Sequence, residues 1–217
     1  MPDDSEPPLT ELPLPQMAIA PAVADALVAR GLPTVIVLAS GRGERFAASG
    51  GSTHQLPAML GGKPVLEHTL AAVRASGLPW HLEQRGLVGM GDSIAAAVAA
   101  TATAYGWLIL PADLPLIQSD TLRAVAYALV RGLSPQSVVV PMFAGQRGHP
   151  VGFAQGFRAA LLALAGPQGA AKLIPQDGAI ELPVDDAGIQ FDIDTTDDLR
   201  RAQAWLEARG RGSVGGN

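Results

Sequence analysis

The feature that most restricts the fold of this chain is a series of short apolar runs, each followed by a stretch with helical spacing. "TVIVLA" (34–39), "WLILPADLPLI" (107–117) and "SVVVPMF" (137–143) show no alternation of polar and apolar residues. Strands made from them must be buried on both faces. "GGKPVLEHTLAAVRASG" (61–77) reads as a helix with Val65, Leu66, Leu70 and Val73 on one face and Gly77 ending it. "GDSIAAAVAATATAYG" (91–106) opens on Asp and Ser as capping residues, and "SDTLRAVAYALVRG" (119–132) opens on Ser. "PWHLE" (79–83) and "AIELPV" (179–184) read as further strands. "PAVADALVARG" (21–31), "GFRAALLALAG" (156–166) and "TTDDLRRAQAWLEARG" (195–210) read as further helices. Strands alternating with helices predict an α/β fold with a mostly parallel central sheet covered on both faces. The 217 residues fit one domain over 21–210, between a flexible proline-rich, acidic leader (1–20) and a loose tail (211–217).

In such sheets ligands bind beyond the carboxyl ends of the strands. "LASGRGERF" (38–46) lies at one such end, with small residues that let backbone N–H groups approach a ligand and two arginines that favour an anion, the obvious candidate being a phosphate. It is not a dinucleotide fingerprint, since Phe46 stands where the third glycine belongs, and no Gly-Lys-Ser/Thr makes it a P-loop. A purely structural turn would leave Arg42 and Arg45 unexplained. A second signal is Asp113 in "LPADLPLI", where a strand ends in a carboxylate between prolines. It either caps the next turn or helps hold a hard cation such as Mg²⁺ together with substrate phosphates. A third is "FDIDTTDDL" (191–199), where Asp192 and Asp194 share a face and offer the second carboxylate. Asp197 and Asp198 suit a first helical turn.

Charge and composition remove other classes. The net charge of −5 and the lack of a long Lys/Arg run argue against a nucleic-acid face. Without cysteine there is no thiolate metal site, disulfide or cysteine nucleophile. No run of about 18 apolar residues exists to span a membrane, and the N-terminus lacks the build of a signal peptide, so a cytoplasmic protein is expected.

Five stretches in order carry a family resemblance: "LASGRGERF", "GMGDSIAAAV" (89–98), "LPADLPLI", "RGHPVGF" (147–153) and "FDIDTTDDL". Together they resemble the MobA-like NTP transferases, and the second and fourth are similar to segments of the molybdenum cofactor cytidylyltransferase branch. The resemblance implies the three-layer α/β/α Rossmann-like nucleotide-diphospho-sugar transferase fold and a nucleotidyltransferase. An acceptor phosphate would attack the α-phosphorus of an NTP, taken to be CTP, and release pyrophosphate. It implies Mg²⁺ as cofactor and molybdopterin or another phosphorylated small molecule as acceptor, with a molybdoenzyme as the partner the family suggests. Carried over residue by residue, Leu38, Ala39, Ser40, Gly41, Arg42 and Gly43 would hold the nucleotide, the amides of 39–43 cradling phosphates with Arg45 beside them. Gly91 and Ser93 would lie near the base or ribose, Asp113 and Asp194 would hold the metal, and His149 and Pro150 would face the acceptor.

One position departs from the family pattern. A family lysine that steadies the triphosphate precedes "L-x-x-x-L-G-G-x-P", and the matching residue here is the neutral Gln55. His54, if protonated, would partly replace it. Gly43 also stands where the family usually has Ser. Three readings follow: a working transferase relying on Arg42, Arg45 or His54; a weak or inactive relative that binds nucleotide or cofactor for delivery; or a transferase for another acceptor such as a sugar phosphate. "AASGGST" (47–53) is expected to be a mobile lid, and Trp80 and Trp107 are expected to be core.

Overall fold

The computed structural model describes residues 31–212 except 42, 52–53 and 133. The leader, nearly all of the helix expected over 21–31, Arg42 and most of the tail lie outside the described residues.

The strands are β1 (Thr34–Leu38), the short pair β2 (Met59–Leu60) and β3 (Lys63–Pro64), β4 (Trp80–Glu83), β5 (Gly106–Pro111), β6 (Val138–Phe143), β7 (Gln146–Arg147), β8 (Val151–Ala154) and β9 (Ile180–Pro183). The helices are α1 (Glu44–Ala48), α2 (Val65–Ser76), α3 (Met90–Ala100), α4 (Ser119–Arg131), α5 (Arg158–Leu162) and α6 (Thr196–Gly212). A seven-stranded sheet runs β4-β1-β5-β8-β6-β7, with β9 on the other edge of β6. β4, β1 and β5 are parallel, and β9 is parallel to β6. β8 lies antiparallel between β5 and β6, and β7 is antiparallel to β6. Five of the seven strands therefore point one way, as the mostly parallel expectation requires.

The side-chain period of two explains why both sheet faces are covered. Val35 and Val37 of β1, with Leu108 and Leu110 of β5, join one apolar cluster with Leu70 and Val73 of α2 and Leu122 and Leu129 of α4. Ile36, Trp107 and Ile109 point the other way and pack with Ile94 and Val98 of α3 and Leu161 of α5. These are the three layers of the α/β/α architecture.

Two stretches take a definite form here, and two expectations, the cap of α3 and the burial of Trp80, need correction. The second half of "RGHPVGF", to which the sequence reading assigned no element, lies in β8, all four of whose residues are buried. The strand is reachable only because Gly106 has no side chain, since a Cβ there would stand 2.7 Å from the Phe153 carbonyl oxygen. β5 stops at Pro111, two residues before the aspartate at which the strand was expected to end, and the chain turns at Asp113 to bring α4 back over the sheet. Asp92 and Ser93 do not cap α3; the cap position is Gly89, and Asp92 accepts the Gly166 N–H at 3.0 Å. Trp80 is 40% exposed on edge strand β4, with the Arg74 guanidinium 5.8 Å from its ring centre, whereas Trp107 is fully buried. No helix among the described residues is long and apolar enough to cross a membrane.

Candidate active site

The crevice lies where the order of the parallel strands reverses, β1 leading to β4 on one side and to β5 on the other. Two hydrogen bonds carry the ladder past the strand ends: Ala39 N–H donates to the Glu83 carbonyl at 2.8 Å and Ala112 N–H to the Leu38 carbonyl at 3.0 Å. The Ala39 amide, expected to face a phosphate, is thus spent inside the sheet. The turn proper begins at Ser40 and ends at Gly43, whose left-handed backbone (φ 65°) starts α1. Phe46 anchors that helix, being almost fully buried.

The segment after α1 closes over the turn. His54 Nδ1 accepts the Leu56 N–H at 3.1 Å, so Nε2 is the ring nitrogen that donates, to the Gly41 carbonyl at 2.5 Å. Both ring nitrogens are thus engaged in holding the loop against the turn. Gln55 is buried, 7% exposed, and its amide Nε2 donates to Asp113 Oδ2 at 3.2 Å. Its Oε1 is buried without a hydrogen-bond partner. The described part of the expected lid is tied down: Thr196 donates from its backbone N–H to Ser49 Oγ and from its hydroxyl to the Ser49 carbonyl, each at 2.9 Å.

Asp113 follows β5, and its carbonyl accepts the Ile193 N–H at 3.0 Å, which brings Asp192 and Asp194 to the same edge. Burial raises the Asp113 carboxyl above its ordinary range, opposed by the Gln55 hydrogen bond. Asp194 is pushed up to about 6, chiefly by burial and then by a hydrogen bond and like charge from Asp192. Arg45, itself largely exposed, bridges to Asp194 at 2.6 Å. Two carboxyls held reluctant to ionise, only one of them paired to an exposed arginine, form an excess of acid that a divalent cation would relieve.

Three adjoining cavities share Asp113 and Met90 as walls. The first, about 300 Å³, lies between the turn (Leu38, Ser40, Gly41) and the 87–90 loop. The second, about 330 Å³, is bounded by Gly43, Arg45, Gln55 and Asp194. The third, about 510 Å³, reaches Arg147, His149 and Asp192. Volumes of this order suit small ligands. His149 is held by its backbone N–H on the Ile189 carbonyl at 2.9 Å; its Nδ1 has no partner and burial lowers its pKa. It is therefore a neutral ring on the wall of the third cavity.

Not every expected residue opens onto this space. Ser93 is fully buried, sharing a 2.7 Å hydrogen bond with Ser40, and so supports the turn from behind. The Gly91 N–H donates to the Gly166 carbonyl at 2.9 Å, so this residue docks α3 against the 164–168 loop. Pro150 is buried and lines none of the three cavities. Sequence reasoning missed Met90, half exposed among all three cavities, and Arg147, which pairs with Glu181 at 3.0 Å on the rim of the third. Both lie inside stretches singled out for other residues, and only tertiary proximity distinguishes them.

The family model described as a MobA-like NTP transferase domain matches residues 35–180. Among solved structures, Rv0371c from Mycobacterium tuberculosis H37Rv is 24% identical with a TM-score of 0.66, over 80% of this chain and 98% of that one. The same mycobacterial protein has been solved in complex with manganese. A nucleotidyl transferase from Methanothermobacter is 20% identical with a TM-score of 0.64, over 82% of this chain and 99% of its own. Molybdopterin-guanine dinucleotide biosynthesis protein A from Archaeoglobus fulgidus is 18% identical with a TM-score of 0.59, over 81% and 99%. No curated protein is significantly similar in sequence.

Proposed function

The chain belongs to the MobA-like NTP transferase family, and from that premise we propose that it moves a nucleotidyl group from CTP onto a molybdopterin-type phosphorylated acceptor. The observation that carries this reading is Asp113, a single half-buried carboxylate on the shared wall of the cavity beneath the glycine turn and the cavity reaching His149. A triphosphate in the first and second cavities and an acceptor phosphate in the third meet there. The acceptor oxygen forms the new bond to the α-phosphorus while the bond to pyrophosphate breaks, a displacement that needs alignment and charge neutralisation more than covalent help.

The chain's own residues divide that work. Backbone of Ser40 to Gly43 positions phosphates, Arg45 adds a positive charge at the rim, and neutral His149 offers a hydrogen-bonding ring to the acceptor. Asp113 and Asp194 would hold a divalent cation, Mg²⁺ by our reading, which supplies charge neutralisation at the phosphates. The manganese complex of the mycobacterial relative supports the cation, and the Archaeoglobus protein supports the acceptor class.

A specific observation favours a second reading. Gln55 engages Asp113 without bringing any charge, as suits a chain that binds nucleotide but turns over weakly. Calorimetric titration of CTP, GTP and ATP with Mg²⁺, followed by pyrophosphate release with molybdopterin, separates the two. The transferase reading expects CTP binding with release, and Asp113→Ala lowering release by about 100- to 1000-fold. Binding without release favours the weak relative, and release only with a sugar phosphate moves the acceptor assignment.

A further inference from the structure

Resting on that reading of the site, we propose that the Gln55 amide turns over when ligands arrive. Its oxygen then joins Asp113 as a ligand to the divalent cation, and its nitrogen donates to a phosphate in the glycine turn. In the structure Nε2 faces Asp113 Oδ2 at 3.2 Å, while Oε1 is buried and unpartnered. That oxygen points at the bare backbone of the turn, because a Cβ built on Gly43 would stand only 2.7 Å from it. Gln55, Asp113, Asp194 and Gly43 all line the second cavity.

The present orientation opposes both ligands. A phosphate in the turn would meet the lone pairs of Oε1, and a cation on Asp113 would meet the hydrogens of Nε2. Turning the amide by half a rotation about its last torsion exchanges the two atoms and corrects both contacts at once, without moving the rest of the side chain. The spacing suits the cation: two oxygen ligands of one octahedral Mg²⁺ lie about 3 Å apart, and the amide tip already stands 3.2 Å from Oδ2. Gln55 satisfies Asp113 as Arg45 satisfies Asp194, so a cation on these carboxylates would displace both partners.

The test uses the full chain with Mn²⁺, alone and with inorganic tripolyphosphate, free Mn²⁺ being followed by electron paramagnetic resonance. Gln55→Leu and Gln55→Lys are expected to weaken Mn²⁺ binding by ~10-fold or more, whereas Gln55→Glu, which keeps an oxygen at the same reach, stays within ~3-fold of the parent. Parent-like binding by the Leu or Lys variant, or a Glu variant as weak as Leu, overturns the proposal. Asp113→Ala separates the two levels of argument. If it abolishes binding while Gln55→Leu does not, only this proposal falls; if it too binds like the parent, the cation site itself is misassigned. A measurement without variants guards against misfolding: in ¹⁵N-labelled protein, Overhauser contacts of the Gln55 side-chain NH₂ should move from the Asp113 β-protons to the Gly43 α-protons when Mg²⁺ and tripolyphosphate are added. Contacts that stay on Asp113 in the loaded protein overturn the proposal.

Discussion

At the scale of single residues, the two departures from the family pattern turn out to be one arrangement. Gly43 has φ 65° and its missing Cβ leaves the space that Gln55 Oε1 faces. Gly43→Ala is therefore expected to cost about 1–3 kcal/mol from backbone strain and the close approach. The double variant Gly43→Ala/Gln55→Ala should lose less than the sum of the singles in chemical denaturation, because shortening residue 55 relieves the contact. Asp194 sets the pH behaviour. Its carboxyl is held at about 6, above the ordinary 3.8. The folded chain thus keeps a proton that the unfolded chain releases, and the stability this gives is present below the unfolded value and lost as pH rises through about 6. A cation competes with the same proton, so Mn²⁺ affinity should climb between pH 5 and 7, and Asp194→Asn should flatten that climb. Gln55 was legible as a departure from the sequence alone. Its bond to Asp113, 58 positions away, was not.

Among elements, β8 has the largest structural consequence for the site. Inserted antiparallel between β5 and β6, it sets the chain that precedes it, with Arg147 and His149, over the carboxyl edge of the sheet. Its Phe153 is fully buried and packs edge-on to Phe157, with ring centroids 5.4 Å apart. Phe153→Ala should cost about 3–5 kcal/mol, read from the denaturation midpoint. If β8 is what presents His149, the same variant should weaken acceptor-dependent turnover more than CTP binding. The parallel strands and the long helices were readable from apolar runs and helical spacing. β8 was not, because four residues in a segment rich in glycine and proline carry no strand period, and their burial on both faces comes from neighbours distant in sequence. Trp80 shows the reverse error: an apolar context suggested core, but β4 is an edge strand and its first residue faces out.

For the whole molecule, a ligand that binds only the folded state must stabilise all of it. At a nucleotide concentration 100 times the dissociation constant, with Mn²⁺ present, the gain should be about 2.7 kcal/mol, visible as a concentration-dependent rise in melting temperature. A nucleobase series measured this way would rank CTP, GTP and ATP without requiring turnover. The sequence by itself determined the α/β class and the positions of the glycine turn and the acidic strand end, because these depend on local patterns: unbroken apolar runs, helical periodicity and small residues at a strand terminus. The tertiary structure alone decided which amides remain open to a ligand, which carboxyls crowd one another, and that an amide oxygen is left without a partner beside them. Those properties arise where segments far apart in the chain meet at one sheet edge, and burial there, unlike periodicity, is a sum over neighbours that no local stretch contains.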